Sequence, residues 1–228
     1  VVGAVPDGLE AAVEQAFGTW KKADAPRFVR EIPQQVNMAP GRIDVPAKDK
    51  ANAELHMNLR FALNTEDADY LPLLIATRVF GAGGMETRLA VRVRGKEGLS
   101  YGVGASLQVP YFGRDAGLVI TASFAPANRE SVIAAVQDEL RRMSDAGVTS
   151  AEMERARNEL LQGARQGRAS DGALAGQLLF LADTKQRWVD EGVRDLRLRA
   201  VTLAQVNAAW RRLVRPEGFL ISTVGDFK

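Results

Sequence analysis

Hydrophobic residues recur at every second position in several places along this chain, and at helical spacing in the stretches between. Leu55, Met57, Leu59, Phe61 and Leu63 alternate with Glu54, His56, Asn58 and Arg60, which predicts a strand with one buried and one polar face. Tyr101, Val103, Ala105, Leu107 and Val109 predict another, and residues 118–124 a further one. The segment 110–117 between these two predicts an antiparallel hairpin. The closing FLISTV reads as a strand as well.

Helical periods fill the intervals. Leu71, Leu74, Ile75 and Val79 share one side of a helix over 67–80, and Pro72, tolerable only in a first turn, places its start near Asp69. Val132, Ile133, Val136, Leu140 and Met143 build an amphipathic helix that Gly147 ends. Thr149-x-x-Glu152 is a capping box for the next helix, and Thr202-x-x-Gln205 opens the last, with Leu203, Val206, Trp210 and Leu213 inside. Residues 171–183 and a stretch leading to Ala200 are also helical in pattern. At the N-terminus VVGAV predicts a short buried strand, ended by Pro6-Asp7-Gly8. Leu9, Val13, Phe17 and Trp20 then predict a helix, and residues 21–41, with three prolines, an extended linker. Strands separated by helix pairs, with hairpins in place of regular βαβ alternation, predict an α+β fold: an antiparallel sheet with helices packed on one face.

The stretch 80–104 organises the rest. A glycine cluster (Gly81, Gly83 and Gly84, with Ala82) separates two apolar-periodic segments. Leu89, Ala90 and Val93 then mark one helical face and Arg88, Arg92 and Lys96 the other, before Gly95 and Gly98 stop the helix. Arg94 falls in its last turn and Tyr101 at the start of the following strand. The short turn between them lets both side chains enter a common space.

Gly83-Gly84-x-x-Thr87-Arg88-Leu89 followed by Arg94-x-Lys96-Glu97-x-Leu99-x-Tyr101 resembles the zinc-free half of the pitrilysin/insulinase-type metallopeptidases. In that family two homologous halves close around a peptide. The resemblance implies that residues 1–24 are the closing strand and helix of a preceding homologous domain, 25–41 a linker and 42–228 the zinc-free half-domain. It implies that Arg94 and Tyr101 bind the peptide backbone and stabilise the oxyanion, that Gly83 and Gly84 belong to a flexible loop at the chamber mouth, and that zinc sits in the partner half. Glu86 and Ala82 depart from the family's usual small residues; they bear on the loop, not on the Arg–Tyr pair. The match is sharp over 81–103 and a matter of order and pattern elsewhere. By the same resemblance the chain is a piece of a longer polypeptide, periplasmic in the first reading and cytoplasmic in the alternative.

Composition narrows the chemistry. With 30 basic and 28 acidic residues the formal charge is +2, and no cluster of Lys/Arg interleaved with aromatics points to nucleic acid. A 46% hydrophobic content suffices for a sizeable core, yet no run approaches the roughly 18 apolar residues of a membrane span. Zero cysteines exclude disulfides, thiolate ligands and a cysteine nucleophile. His56 is the single histidine, so no pair exists to hold zinc, and no H-x-x-E-H helix is present. Ser170, Asp171 and His56 lack a nucleophile elbow, and the glycine cluster lacks the Lys-Ser/Thr of a phosphate loop. Lys96, Glu97 and the arginine-rich segments 155–168 and 187–199 read as solvated helix faces.

A guanidinium fork and a phenol are suitable donors for a peptide carbonyl and a developing oxyanion. Their plainer reading is an arginine satisfying helix C-terminal carbonyls and a tyrosine in the core. At the level of the whole protein two functions stand: half of a zinc-dependent peptidase, or a non-catalytic scaffold subunit of the same fold, like the core proteins of respiratory complexes. A free-standing peptide-binding module is a third.

Overall fold

The computed structural model describes residues 1–20, 28–32 and 34–227. Five strands, β1 (Gly41–Pro46), β2 (Ala53–Ala62), β3 (Gly102–Gln108), β4 (Asp115–Phe124) and β5 (Leu220–Gly225), form one sheet in the order β1-β5-β2-β4-β3. The helices are α1 (Leu9–Phe17), α2 (Tyr70–Thr77), α3 (Arg129–Ala146), α4 (Ser150–Arg168), α5 (Asp171–Thr184), α6 (Trp188–Ala200) and α7 (Leu203–Leu213).

The alternation of β2 decides which face is covered. Leu55, Met57, Leu59 and Phe61 are buried and pack with Leu118, Ile120 and Phe124 of β4 under the helices, while Glu54 and His56 face outward. Register agrees, since Met57 stands opposite Ile120 on one side and Ile221 on the other. Trp210 of α7 is fully buried and its ring lies 5.1 Å from Phe80, which joins the last helix to the segment that leads into the glycine cluster. Both capping boxes form, Thr149 with Glu152 and Thr202 with Gln205, and Gly147 ends α3 at φ 76°, a left-handed value that a side chain resists.

The structure corrects four expectations. The sheet is not wholly antiparallel: β1 pairs with β5 in parallel, because these strands stand at opposite ends of the domain and the whole of it serves as their crossover. VVGAV forms no strand; Val1 and Val5 are exposed, since no strand among the described residues supplies a ladder for them. Helix α1 forms as its spacing predicts, but it buries no residue, ends at Phe17 and leaves Trp20 beyond it, stacked loosely on Phe17 at 6.0 Å. The linker expectation falls partly on residues 21–27 and 33, outside the described residues; the described residues of 28–40 have no regular structure.

The fourth correction concerns helix type. The helix expected over 67–80 is α2 followed by a π-helical stretch, Arg78–Ala82, and the helix expected to carry Leu89, Ala90 and Val93 is mainly a second π-helical stretch, Ala90–Lys96. Such wide turns insert an extra residue per turn and concentrate at functional sites. Here they bracket the glycine cluster.

Candidate functional site

Arg94 lies in the second π-helical stretch and Tyr101 immediately before β3. The second π-helical stretch is closed by Glu97 N–H donating to Arg92 O at 3.0 Å and Leu99 N–H to Val93 O at 2.8 Å. Gly98, at φ 61°, then reverses the chain. The Tyr101 N–H donates to Ser123 O at 2.8 Å, which pins this backbone to β4. The side chain of Tyr101 is 60% exposed and its hydroxyl has no hydrogen-bond partner among the described residues, so it is not a core residue. Arg94 is exposed too, and donates from Nη1 to the Met85 sulfur at 3.0 Å, not to the helix-terminal carbonyls.

The glycine cluster is held in place by arginines from three directions. Arg78 Nη1 donates to Ala82 O at 2.8 Å while its Nε binds Glu159 of α4 at 2.8 Å. Arg155 of α4 pairs with Glu86 at 3.5 Å, and Arg94 holds Met85. Just beyond, Arg88 grips Glu152 through Nε and Nη2 at 2.7 and 2.8 Å and also donates to Gly147 O at 2.8 Å. Burial pushes the Glu152 carboxyl up, but the bonds from Arg88 and from the Thr149 backbone and hydroxyl outweigh it and hold it at about 2. The pair therefore stays ionised at any ordinary pH and fixes the base of the loop to α4.

The glycines differ in what they permit. A Cβ on Gly81 would come within 2.8 Å of Leu89 and 2.9 Å of Ala105 N, so the loop's first residue must be glycine for the chain to approach β3. On Gly83 it would meet the Thr87 methyl at 2.8 Å, whereas Gly84 has open space around it. The geometry is that of a tight connection between the two π-helical stretches, and of an exposed tip bearing Gly84 and Met85.

Sequence reasoning missed Met85, Arg78 and Arg155 as partners of this region. Arg155 pairs with a residue 69 positions away, a separation with no periodic signature. The reading of 155–168 as a solvated face is corrected in part: Arg157 donates to Val201 O and Arg168 binds Asp195 at 2.6 Å, while Glu97 is exposed and accepts from Arg92 at 2.9 Å. Each carbonyl or carboxylate offered by a neighbouring element recruits a guanidinium that pattern alone leaves facing water.

The residues present do not fit a zinc site. His56 lies on the open face opposite Thr121 and Ser222, and no group of three His, Asp or Glu among the described residues could hold a metal ion. Among the described residues no helix is long and apolar enough to cross a membrane.

A family model described as the peptidase M16 inactive domain matches residues 1–160. No curated protein matches the sequence. Among solved structures, a peptidase M16 inactive domain from Pseudomonas fluorescens superposes with a TM-score of 0.79 at 22% identity, covering 95% of this chain and 50% of that one. The periplasmic protease PqqL from Escherichia coli gives 0.73 at 15% identity, over 97% of this chain and 24% of its own. A chain of Complex III2 from Candida albicans gives 0.67 at 13% identity, over 83% of this chain and 46% of its own. At these identities the likeness is one of fold, and the chain spans about half the length of the first of these structures.

Proposed function

We propose that this chain, which belongs to the family of peptidase M16 inactive domains, is the non-catalytic half of a zinc-dependent peptidase and supplies Arg94 and Tyr101 to the peptide. The metal and the general base belong, in this reading, to a homologous partner half, on the same polypeptide or a neighbouring subunit. What this chain adds is a wall of the chamber and two donors. The observation that carries the reading is the exposure of Tyr101, with its hydroxyl unpartnered among the described residues, at one end of a short turn whose other end bears the exposed Arg94. An exposed phenol has no protein partner to give up when substrate arrives, and an arginine resting on a thioether is easily released to a carbonyl or carboxylate. Donors aimed at a scissile carbonyl would bind the backbone and strengthen as negative charge develops on its oxygen.

Gly83 and Gly84 would let the loop tip pass close to the peptide or the partner half. PqqL is described as periplasmic, which supports the same compartment here, with the cytoplasm as the alternative. The test is peptide cleavage by the full-length parent protein, with and without chelator, beside Arg94→Ala and Tyr101→Phe. Chelator-sensitive cleavage with kcat/KM lowered about 10- to 100-fold in the variants is expected. An unchanged kcat/KM in both removes the pair from the mechanism. The second reading, a scaffold subunit, draws on the likeness to a chain of Complex III2, and predicts no cleavage by the parent at all.

A further inference from the structure

The amphipathic pattern of α6 is turned inside out. Glu191, Arg194, Asp195 and Leu198 share one side of the helix, at i, i+3, i+4 and i+7, and that side faces the protein. Leu198 is buried and the other three are half-buried, with Asp195 and Glu191 meeting Arg168 of α4 at 2.6 and 3.9 Å. Val189, Val193 and Leu196 recur at i, i+4 and i+7 on the opposite side. All three are exposed, Leu196 by 67%.

Helix α5 repeats the arrangement. Residues 172–182 carry no charge, yet only Leu181 and Thr184 of this helix are buried. Ala175, Leu179 and Ala182 share its outer side, and Leu179 is 72% exposed. A helix that is apolar all round ordinarily lies inside a protein. The two outer faces are continuous, since Phe180 and Val193 line one cavity of about 580 Å³. With Trp188 exposed at the start of α6, the uncovered side chains amount to on the order of several hundred Å², the size at which an apolar patch marks contact with another protein surface.

The N-terminal segment indicates what covers this face, because it is tied to both ends of α5. A Cβ on Gly3 would stand 3.1 Å from the carboxylate of Asp171, the first residue of the helix. In the last turn Asp183 binds Arg30 at 2.6 Å, and the Arg30 guanidinium lies 4.2 Å over the Phe112 ring. Between these anchors α1 buries no residue and leaves Val13 and Phe17 exposed. A domain that carries this segment as its tail is thereby brought against α5.

We propose that the exposed face of α5 and α6 docks the homologous partner half. The inference rests on the reading of the chain as one half of a peptidase, and it assigns the seam between the halves. The fold covers 50% of the Pseudomonas fluorescens chain, which leaves room there for a second body of like size. Covering a face without charges desolvates no ion, and the charges of α6 keep their contacts with Arg168 when the face is closed.

Cysteine labelling tests this, because the chain has no thiol of its own. Leu179→Cys and Leu196→Cys replace exposed residues that folding does not depend on, and Arg141→Cys on α3, where the side chain is 56% exposed, is the control. Each variant is treated with a maleimide in the 228-residue chain and in the full-length parent holding both halves, and the rate at each position is read by mass spectrometry. Relative to the control, both test positions should react about tenfold or more slowly in the parent than in the chain. An unchanged ratio at either position overturns the proposal. So does protection already present in the chain alone that grows with its concentration, which assigns the face to a second copy. Labelling does not depend on turnover: a parent that cleaves nothing but protects both positions removes the peptidase reading and leaves the seam standing.

Discussion

Replacing Glu152 by Gln separates the charge of its pairing with Arg88 from its shape. The two side chains are 20% and 16% exposed, so water screens the pair only weakly. Gln can still accept from Thr149 and keep the capping box. What is lost is the charge on the Nη2 bond of 2.8 Å and the whole of the Nε bond of 2.7 Å, because the amide nitrogen that replaces one carboxylate oxygen cannot accept. A hydrogen bond to a charged group contributes ~1.5–3 kcal/mol, so losing one and weakening the other should destabilise the variant by about 2–4 kcal/mol at pH 7. Urea denaturation followed by circular dichroism reads this as a midpoint lowered by about 0.7–1.3 M, with a slope near ~3 kcal/mol per M for a chain of this size. The pH dependence carries the sharper test. The carboxyl's folded value is lowered from 4.5 to about 2, so its contribution is complete above about 4.5 and declines as pH falls toward 2. The difference between wild type and variant should hold from pH 7 to about 5 and close by pH 2. No difference at pH 7, or one that persists undiminished at pH 2.5, would refute the assignment of Glu152 as an ionised partner of Arg88.

Three further outcomes follow from neighbouring geometry. Gly81→Ala should cost about 1–3 kcal/mol in the same melts, since its Cβ meets Leu89 and Ala105 below 3.0 Å, whereas Gly84→Ala, in open space, should stay within about 0.5 kcal/mol. Asn207→Ala removes the acceptor of the Val148 N–H at 2.7 Å and the donor to Val148 O at 3.3 Å. It should cost about 1–3 kcal/mol by leaving a part-buried turn unsatisfied, and an unchanged melt would show that water replaces the side chain. The chain dialysed against zinc should carry no stoichiometric metal by elemental analysis, and His56→Ala should leave both that result and the melt unchanged to within about 0.5 kcal/mol.

How far these features were legible in the sequence depends on the range of the interaction behind them. The period of β2, the stripe of α3 and both capping boxes rest on residues at most a few positions apart, and local pattern reports them faithfully. The parallel β1–β5 pairing joins residues about 180 apart and depends on which sheet edge is open, which no local pattern encodes. The expectation of a strand at VVGAV failed for a related reason: an apolar run states a preference, and a ladder needs a neighbour to realise it.

The candidate site divides in the same way. The positions of Arg94 and Tyr101, at the end of one element and the start of the next, came from local punctuation by Gly95 and Gly98. The wide π turns and the arginines that hold the loop did not, because α-helical and π-helical stretches share nearly the same apolar spacing over one or two turns. That gap has a functional consequence. The sequence reading expected a flexible glycine loop, yet the loop's base is fixed by Arg78, Arg88 and Arg155, leaving only the tip around Gly84 and Met85 unrestrained by ion pairs. In the function proposed above, a peptide approaching Tyr101 would displace one weak contact, Arg94 on Met85, and leave the framework in place. Donors act best when they need little reorganisation at the moment of reaction, and in the proposed function a clamped base supplies that condition.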